Sequence, residues 1–277
     1  MLETIYTLPS CPVCAALLAD SHNRPVDGAP DSLRLRRPDL ILLAGDFVYA
    51  APPKAPGVLK MRESRPALEL MEACAALAPT FVSLGNHEWM LHEKDLDLIA
   101  DTGVTVLDNR FVSLTVRDVP LCVGGLSSAH VSAYQAWREA QSDPAFYPDP
   151  PGRIWAGDPP PELGWLDGFE EQEAYKILLC HHPEYAPRYL SHRRLDLILS
   201  GHAHGGQWRY FSRRKQTWRG VYAPGQGLFP PRTEGVHGNQ VISRGMSNTA
   251  HIPRLWNPPE LVYINYDPDR AVGSVLR

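Results

Sequence analysis

No apolar run in this 277-residue chain approaches the ~20 residues that a membrane-spanning helix needs. The longest near the start, Val13 to Ala19, is too short for a signal-peptide core, and Met1-Leu2-Glu3 offers no basic segment ahead of it. These absences set the expectation of a soluble protein with a cytoplasmic location. Cysteine is scarce and odd in number, five residues, which argues against a disulfide framework. Neither sign of charge dominates: 27 Lys and Arg against 31 Asp and Glu give a formal −4, so a dedicated nucleic-acid binder is not expected. No repeat, heptad run, P-loop or His-Glu-x-x-His protease motif is present.

What is present is an average apolar share, 44%, which suits a packed core. The 27 prolines are about twice the usual share and predict long loops with short elements. Short continuous apolar runs suit strands buried on both faces: Val13–Ala19, Leu40–Ala44, Thr80–Leu84, Val104–Leu107, Leu121–Val123, Lys176–Cys180 and Leu195–Leu199. Phe111–Val116 alternates and turns at Arg117-Asp118 into Leu121 as a hairpin. Between them, Ser64 is placed as the cap of a helix with Pro66 in its first turn and Leu68, Met71, Cys74 and Leu77 on its apolar face. Further helices are expected over His92–Asp101 and about 132–141. The whole of 1–277 reads as a single domain with a proline-rich loop insertion at about 143–161.

The informative feature is where the polar clusters fall. Asp20-Ser21-His22, Gly45-Asp46, Gly85-Asn86-His87-Glu88, His181-His182-Pro183 and Gly201-His202-Ala203-His204-Gly205-Gly206 each follow an apolar strand at its C-terminal end. Open α/β sheets bind ligands just there. Asp20, His22, Asp46, Asn86, His181, His202 and His204 are seven oxygen and imidazole donors, too many for one tetrahedral ion. They suit two first-row divalent ions sharing a carboxylate, manganese first, with iron, zinc or cobalt as alternatives. The Asp-x-His and His-x-His spacings are read as extended segments in which residues two apart face the same way.

Together these five motifs resemble the calcineurin-like metallophosphoesterase superfamily, over Val13 to about Tyr266. Gly201 to Gln207, Ala223 to Pro230, and the stretch from Ser243-Arg244-Gly245 to Pro258-Pro259-Glu260 resemble its bacterial branch. The resemblance implies an α/β fold, a four-layer αββα sandwich of two mixed sheets flanked by helices. Carried over position by position, it implies Asp20, His22 and His204 on one metal, Asn86, His181 and His202 on a second, and Asp46 as the bridge. It further implies phosphomonoester or phosphodiester hydrolysis, with a hydroxide shared by the metals as nucleophile and His87 as the proton donor to the leaving oxygen. His182 and Arg244 become candidate substrate contacts by the same route. Two departures stand out: Gly124-Gly125-Leu126 is followed by Ser127-Ser128 where relatives often carry Asp, and the twin-arginine signal of some secreted relatives is missing before Cys11.

The expected partner is a small phosphorylated substrate. Trp208 to Trp218 interleaves aromatic and basic residues and could grip a phosphorylated headgroup, a base or an anionic membrane; the plainer reading is a hairpin with one solvated face. That stretch supports an alternative function, hydrolysis of a lipid-linked or nucleotide-sugar pyrophosphate at a membrane surface. A non-catalytic scaffold of the same fold is a further alternative, disfavoured because every donor and His87 are present. Cys11-Pro-Val-Cys14 fits a redox or zinc pair only loosely, and ordinary buried cysteines are the default.

Overall fold

A computed structural model describes residues 1–48, 61–140, 160–248 and 253–266, without the side chains of 61, 62 and 138. The expected insertion at 143–161 lies outside the described residues except for 160 and 161.

Strands β1 (Leu2–Tyr6), β2 (Ala15–Leu18), β3 (Leu40–Ala44), β4 (Thr80–Ser83) and β5 (Thr105–Leu107) alternate with helices α1 (Ala29–Arg36), α2 (Met61–Ala75) and α3 (Glu93–Ala100). A hairpin follows, β6 (Arg110–Val116) and β7 (Val119–Leu126), and then α4 (Ala129–Glu139) and α5 (Leu166–Glu170). Strands β8 (Tyr175–Cys180) and β9 (Leu197–Ser200) come next. Two small hairpins, β10 (Arg209–Ser212) with β11 (Thr217–Gly220) and β12 (Tyr222–Ala223) with β13 (Gly227–Leu228), lead to β14 (Gly235–His237), β15 (Gln240–Ile242) and β16 (Glu260–Ile264).

The larger strands form two six-stranded mixed sheets, ordered β1-β16-β2-β3-β4-β5 and β14-β15-β9-β8-β7-β6. Alternation along each strand explains how they stack. Leu17, Leu40 and Leu42 point inward against Leu121, Ile177, Leu179 and Leu199 of the facing sheet. Their neighbours Leu18, Ile41 and Leu43 point outward against Leu33, Leu68, Met71 and Cys74 of the helices. On the far side, Leu178 and Ile198 pack against Leu166 and Phe169 of α5. Helices thus cover the outer face of each sheet, which gives the expected four layers and explains why the central strands read as unbroken apolar runs.

Local expectations were met unevenly. Helix α2 already includes Met61, so Ser64 and Pro66 lie inside it, and the buried Ser64 hydroxyl has no hydrogen-bond partner among the described residues. Leu77 lies beyond the helix and is exposed. Helix α3 is capped by His92, whose own N–H donates to Asp95. All five cysteines are buried and free, including Cys11 and Cys14. In hairpin β10–β11 the adjacent residues Tyr210 and Phe211 are both exposed, so both of its faces meet solvent, not one.

Candidate metal centre

The C-terminal ends of five strands, three from one sheet and two from the other, meet along one edge of the sandwich. Asp20 lies two residues past β2, Asp46 two past β3 and Asn86 three past β4; His181 directly follows β8, and His202 lies two past β9. His22 and His204 complete the cluster. Ligand atoms of Asp20, His22 and His204 lie within 4.8 Å of one another, as do those of Asp46, His181 and His202. A third such group joins His22, Asp46 and His87.

The backbone at these positions is not extended. Asp20, His22, Asp46, His202 and His204 have φ between 46° and 63°, the left-handed region. Asp20 and His22 are therefore brought together through tight turns and not through strand alternation, while His202 and His204 fall in different donor groups. L-residues held there cost roughly 1–2 kcal/mol each, a concentration of strain that marks a functional site. Glycine is required where backbones nearly touch. A Cβ on Gly85 would come 2.2 Å from Asp46 Oδ1, and one on Gly201 would come 2.7 Å from Asp20 Oδ2.

Hydrogen bonds leave specific atoms free to bind a cation. The His181 Nδ1–H donates to the Ala44 carbonyl over 2.7 Å, which leaves Nε2 as the ring nitrogen facing Asp46 Oδ2, 3.0 Å away. Two acceptors at that distance need a proton or a cation between them. Asp46 Oδ1 is anchored by the backbone N–H of His87 over 2.9 Å, so Oδ2 is the oxygen left facing the cluster. Asn86 Oδ1 is buried and accepts no hydrogen bond. The residues present therefore fit a divalent metal.

Without an ion, the electrostatics place a proton between His181 and Asp46. Burial opposes the charge on Asp46, but His181 overcomes it and holds the carboxyl well below its usual range. Burial likewise opposes protonation of His181, yet Asp46 raises its pKa to about 10. Burial pushes Asp20 up to about 7 and His22 down to about 3, and keeps His202 and His204 neutral. His22, His202 and His204 are thus neutral donors, and the proton shared by His181 and Asp46 is the one a metal would displace.

Three supporting residues were not singled out in the sequence. Glu88 accepts N–H groups from Gly85 (2.8 Å), Asp46 (2.9 Å), Phe47 (2.7 Å) and Val48 (2.9 Å), and so locks the turns after β3 and β4 together. Its signal was a Glu three residues after a helix-capping position, here Gly85. Arg254 places Nη2 2.8 Å from His204 Nδ1, and burial lowers its pKa to about 10. Since a guanidinium only donates, ion binding through His204 Nε2 requires that contact to be exchanged or the ring to turn over. Ser128 Oγ lies 2.8 Å from His182 Nε2, at the stretch where Asp was expected.

The remaining candidates divide. His87 sits at the rim, 26% exposed, with Nε2 3.9 Å from Asp46 Oδ2 and its ring edge-on to His22. His182 is held by Ser128 and Glu184 with its ring against His202, centroids 4.2 Å apart. Arg244 is not brought to the cluster. It is buried, donates to Glu260 over 2.5 Å, and lines a separate cleft of about 460 Å³ with Arg209, Glu234 and Glu260. The ion pair with Glu260 is what turns it away from the donors. The cleft over the donors themselves, about 330 Å³, is lined by Asp46, Asn86, His87, His202 and His204 together with Gln207, Tyr222, Pro224 and Asn248.

Comparison with known proteins gives a family match. The profile of the calcineurin-like phosphoesterase family covers residues 16–206. Phosphodiesterase YaeI of Escherichia coli is 28% identical over 213 residues, 72% of this chain and 63% of that protein. The chain spans less than two thirds of the curated relatives it matches. Among solved structures, NAD nucleotidase of Haemophilus influenzae is similar at TM-score 0.43 and 16% identity, over 73% of this chain and 40% of that one. Phosphopantetheinyl hydrolase of Mycobacterium tuberculosis is similar at TM-score 0.40 and 15% identity, over 72% and 85%.

Proposed function

The chain belongs to the calcineurin-like phosphoesterase family, and from that premise we propose that it is a hydrolase of phosphate esters working with two divalent ions. Asp20, His22 and His204 would hold one ion, Asn86, His181 and His202 the other, and Asp46 would serve both, with manganese the first choice. When bound, the ions would supply Lewis-acid charge that activates water and neutralises phosphoryl oxygens.

The chain's own groups carry the rest. His87 is the least buried imidazole facing Asp46, so it meets an incoming ester at the rim and donates a proton to the departing oxygen. Glu88 holds the Asp46 backbone, and the His87 N–H fixes which Asp46 oxygen faces the cluster. Ser128 and Glu184 orient His182, which buttresses His202. Asp20 and Asp46 offset only part of the charge of two divalent ions, so the cleft attracts an anionic ester although the chain is formally −4.

The observation that carries this reading is the buried acceptor pair His181 Nε2 and Asp46 Oδ2 at the junction of the two donor groups. The name of the E. coli relative makes diesters the first substrates to try. Metal analysis of the purified protein, followed by a manganese-supplemented panel of nitrophenyl phosphate, bis-nitrophenyl phosphate, cyclic nucleotides and UDP-linked lipid precursors, tests the proposal. Turnover that a chelator removes and manganese restores is expected; bound metal without any turnover would favour a binding scaffold.

A further inference from the structure

Nothing in the metal centre accounts for the surface that begins just after it. Eight of the chain's 27 Lys and Arg, but one of its 31 Asp and Glu, fall between 208 and 256. That stretch is formally +7 and the rest of the chain −11; its exposed cations are Arg213, Arg214 and Lys215, since Arg244 is buried against Glu260 and Arg209 pairs with Glu234. Every exposed tryptophan, phenylalanine and tyrosine among the described residues falls in it as well. Single exposed apolar residues need no explanation, but the confinement of the exposed aromatic ones to one cationic segment does.

The parts are joined in space. Hairpin β10–β11 pairs with no other strand among the described residues, and its turn presents Arg213, Arg214 and Lys215, all exposed. The Tyr210 ring meets Phe229, with centroids 6.5 Å apart, beyond the end of β13. Trp208 bridges to Leu255, beside Trp256. Within this stretch the most exposed large apolar side chains are Trp256 at 76%, Leu228 at 72% and Phe229 at 63%.

We propose that this surface docks the protein on an anionic lipid bilayer. Arginine and lysine at the hairpin turn meet the headgroup charge, while tryptophan, phenylalanine and leucine enter the interfacial layer, where ring and aliphatic groups leave water. A second copy of the chain is a poorer occupant, since face-to-face pairing would set like-charged turns together. Single-stranded nucleic acid is also poorer, because it calls for rings along a groove, and the most exposed groups here include a leucine at a turn. Tyr222, Pro224 and Gln207, from this stretch or its edge, line the cleft over the metal donors, so docking would set that cleft beside the lipid headgroups. That the ester is then lipid-borne rests on the hydrolase reading; the docking itself does not.

Flotation of the full chain with phosphatidylcholine vesicles, with or without one quarter phosphatidylglycerol, tests the surface. Partition onto the anionic vesicles alone is expected, and 0.5 M salt should weaken it. Replacing Arg213, Arg214 and Lys215 by alanine should lower the partition by about 100-fold. Phe229→Ser with Trp256→Ser should lower it further at any salt, and both variants should keep the wild-type melting temperature. Asp46→Asn should float as wild type, which separates docking from catalysis. Absence of binding, equal binding to both vesicles, or indifference to the charge changes would overturn the proposal. So would tighter binding of oligothymidine lost in the same variants, or a dimer abolished by the Phe229 and Trp256 changes.

Discussion

His181, at the end of β8 in one sheet, sets its Nε2 3.0 Å from Oδ2 of Asp46, two residues past β3 in the other. This contact spans the two halves of the sandwich at the place where the donor groups meet. Asp46→Asn puts a neutral amide there and removes the shared carboxylate. Metal content should fall from about two ions per chain to at most one, and phosphodiester hydrolysis by at least ~100-fold, since even supporting partners of metal ligands cost 10–100-fold. Metal analysis beside initial rates decides it; two ions with full activity would refute the bridge.

His87 lies at the rim and not in either complete donor set, so its loss should spare the metals. His87→Ala should lower turnover by ~10²–10⁴-fold. The loss should be larger for alkyl esters than for nitrophenyl esters, whose leaving oxygen needs less protonation. Equal losses on both would remove His87 as the proton donor.

Glu88 satisfies four buried N–H groups with one carboxylate. Glu88→Gln keeps the shape but turns an NH₂ group toward two of those donors. Stability should drop by about 3 kcal/mol or more, read from urea denaturation of metal-free protein. Glu69→Ala, which removes an exposed pair with Arg65, should change it by no more than ~0.5 kcal/mol.

The cysteines should be inert in the native state. Burial pushes the Cys74 thiol up to about 12 and moves Cys11, Cys122 and Cys180 in the same direction. A raised pKa means thiol and not thiolate at pH 8, and the thiolate is the reactive form. Ellman's reagent should find no fast-reacting group before denaturation and five after it. Rapid modification of Cys11 and Cys14 would show that this pair is open to solvent.

The central strands, and the polar side chains gathered at their ends, were legible because both are local. A strand buried on two faces must be a short apolar run, and a donor at its end must interrupt that run with a polar turn. Less visible was what depends on distant partners. Strand β16 slots between β1 and β2 from the far end of the described chain, and no local pattern announces that pairing. Arg254 reaches His204 from fifty residues away with no spacing to betray it. Arg244 looked like a phosphate contact because it sits in a family-like segment; its direction was set by Glu260 and Glu234. The extended-segment reading of the Asp-x-His and His-x-His spacings did not hold. Left-handed turns, visible only in φ, bring Asp20 to His22 and send His202 and His204 to different donor groups.

The central claim is that the strand ends of both sheets build one two-ion site. An anomalous difference map from crystals grown with manganese, recorded near the manganese edge, tests it most directly. Two peaks are expected, one among Asp20, His22 and His204, the other among Asn86, His181 and His202, with Asp46 between them. No peak, a single peak, or manganese held elsewhere on the chain would contradict it.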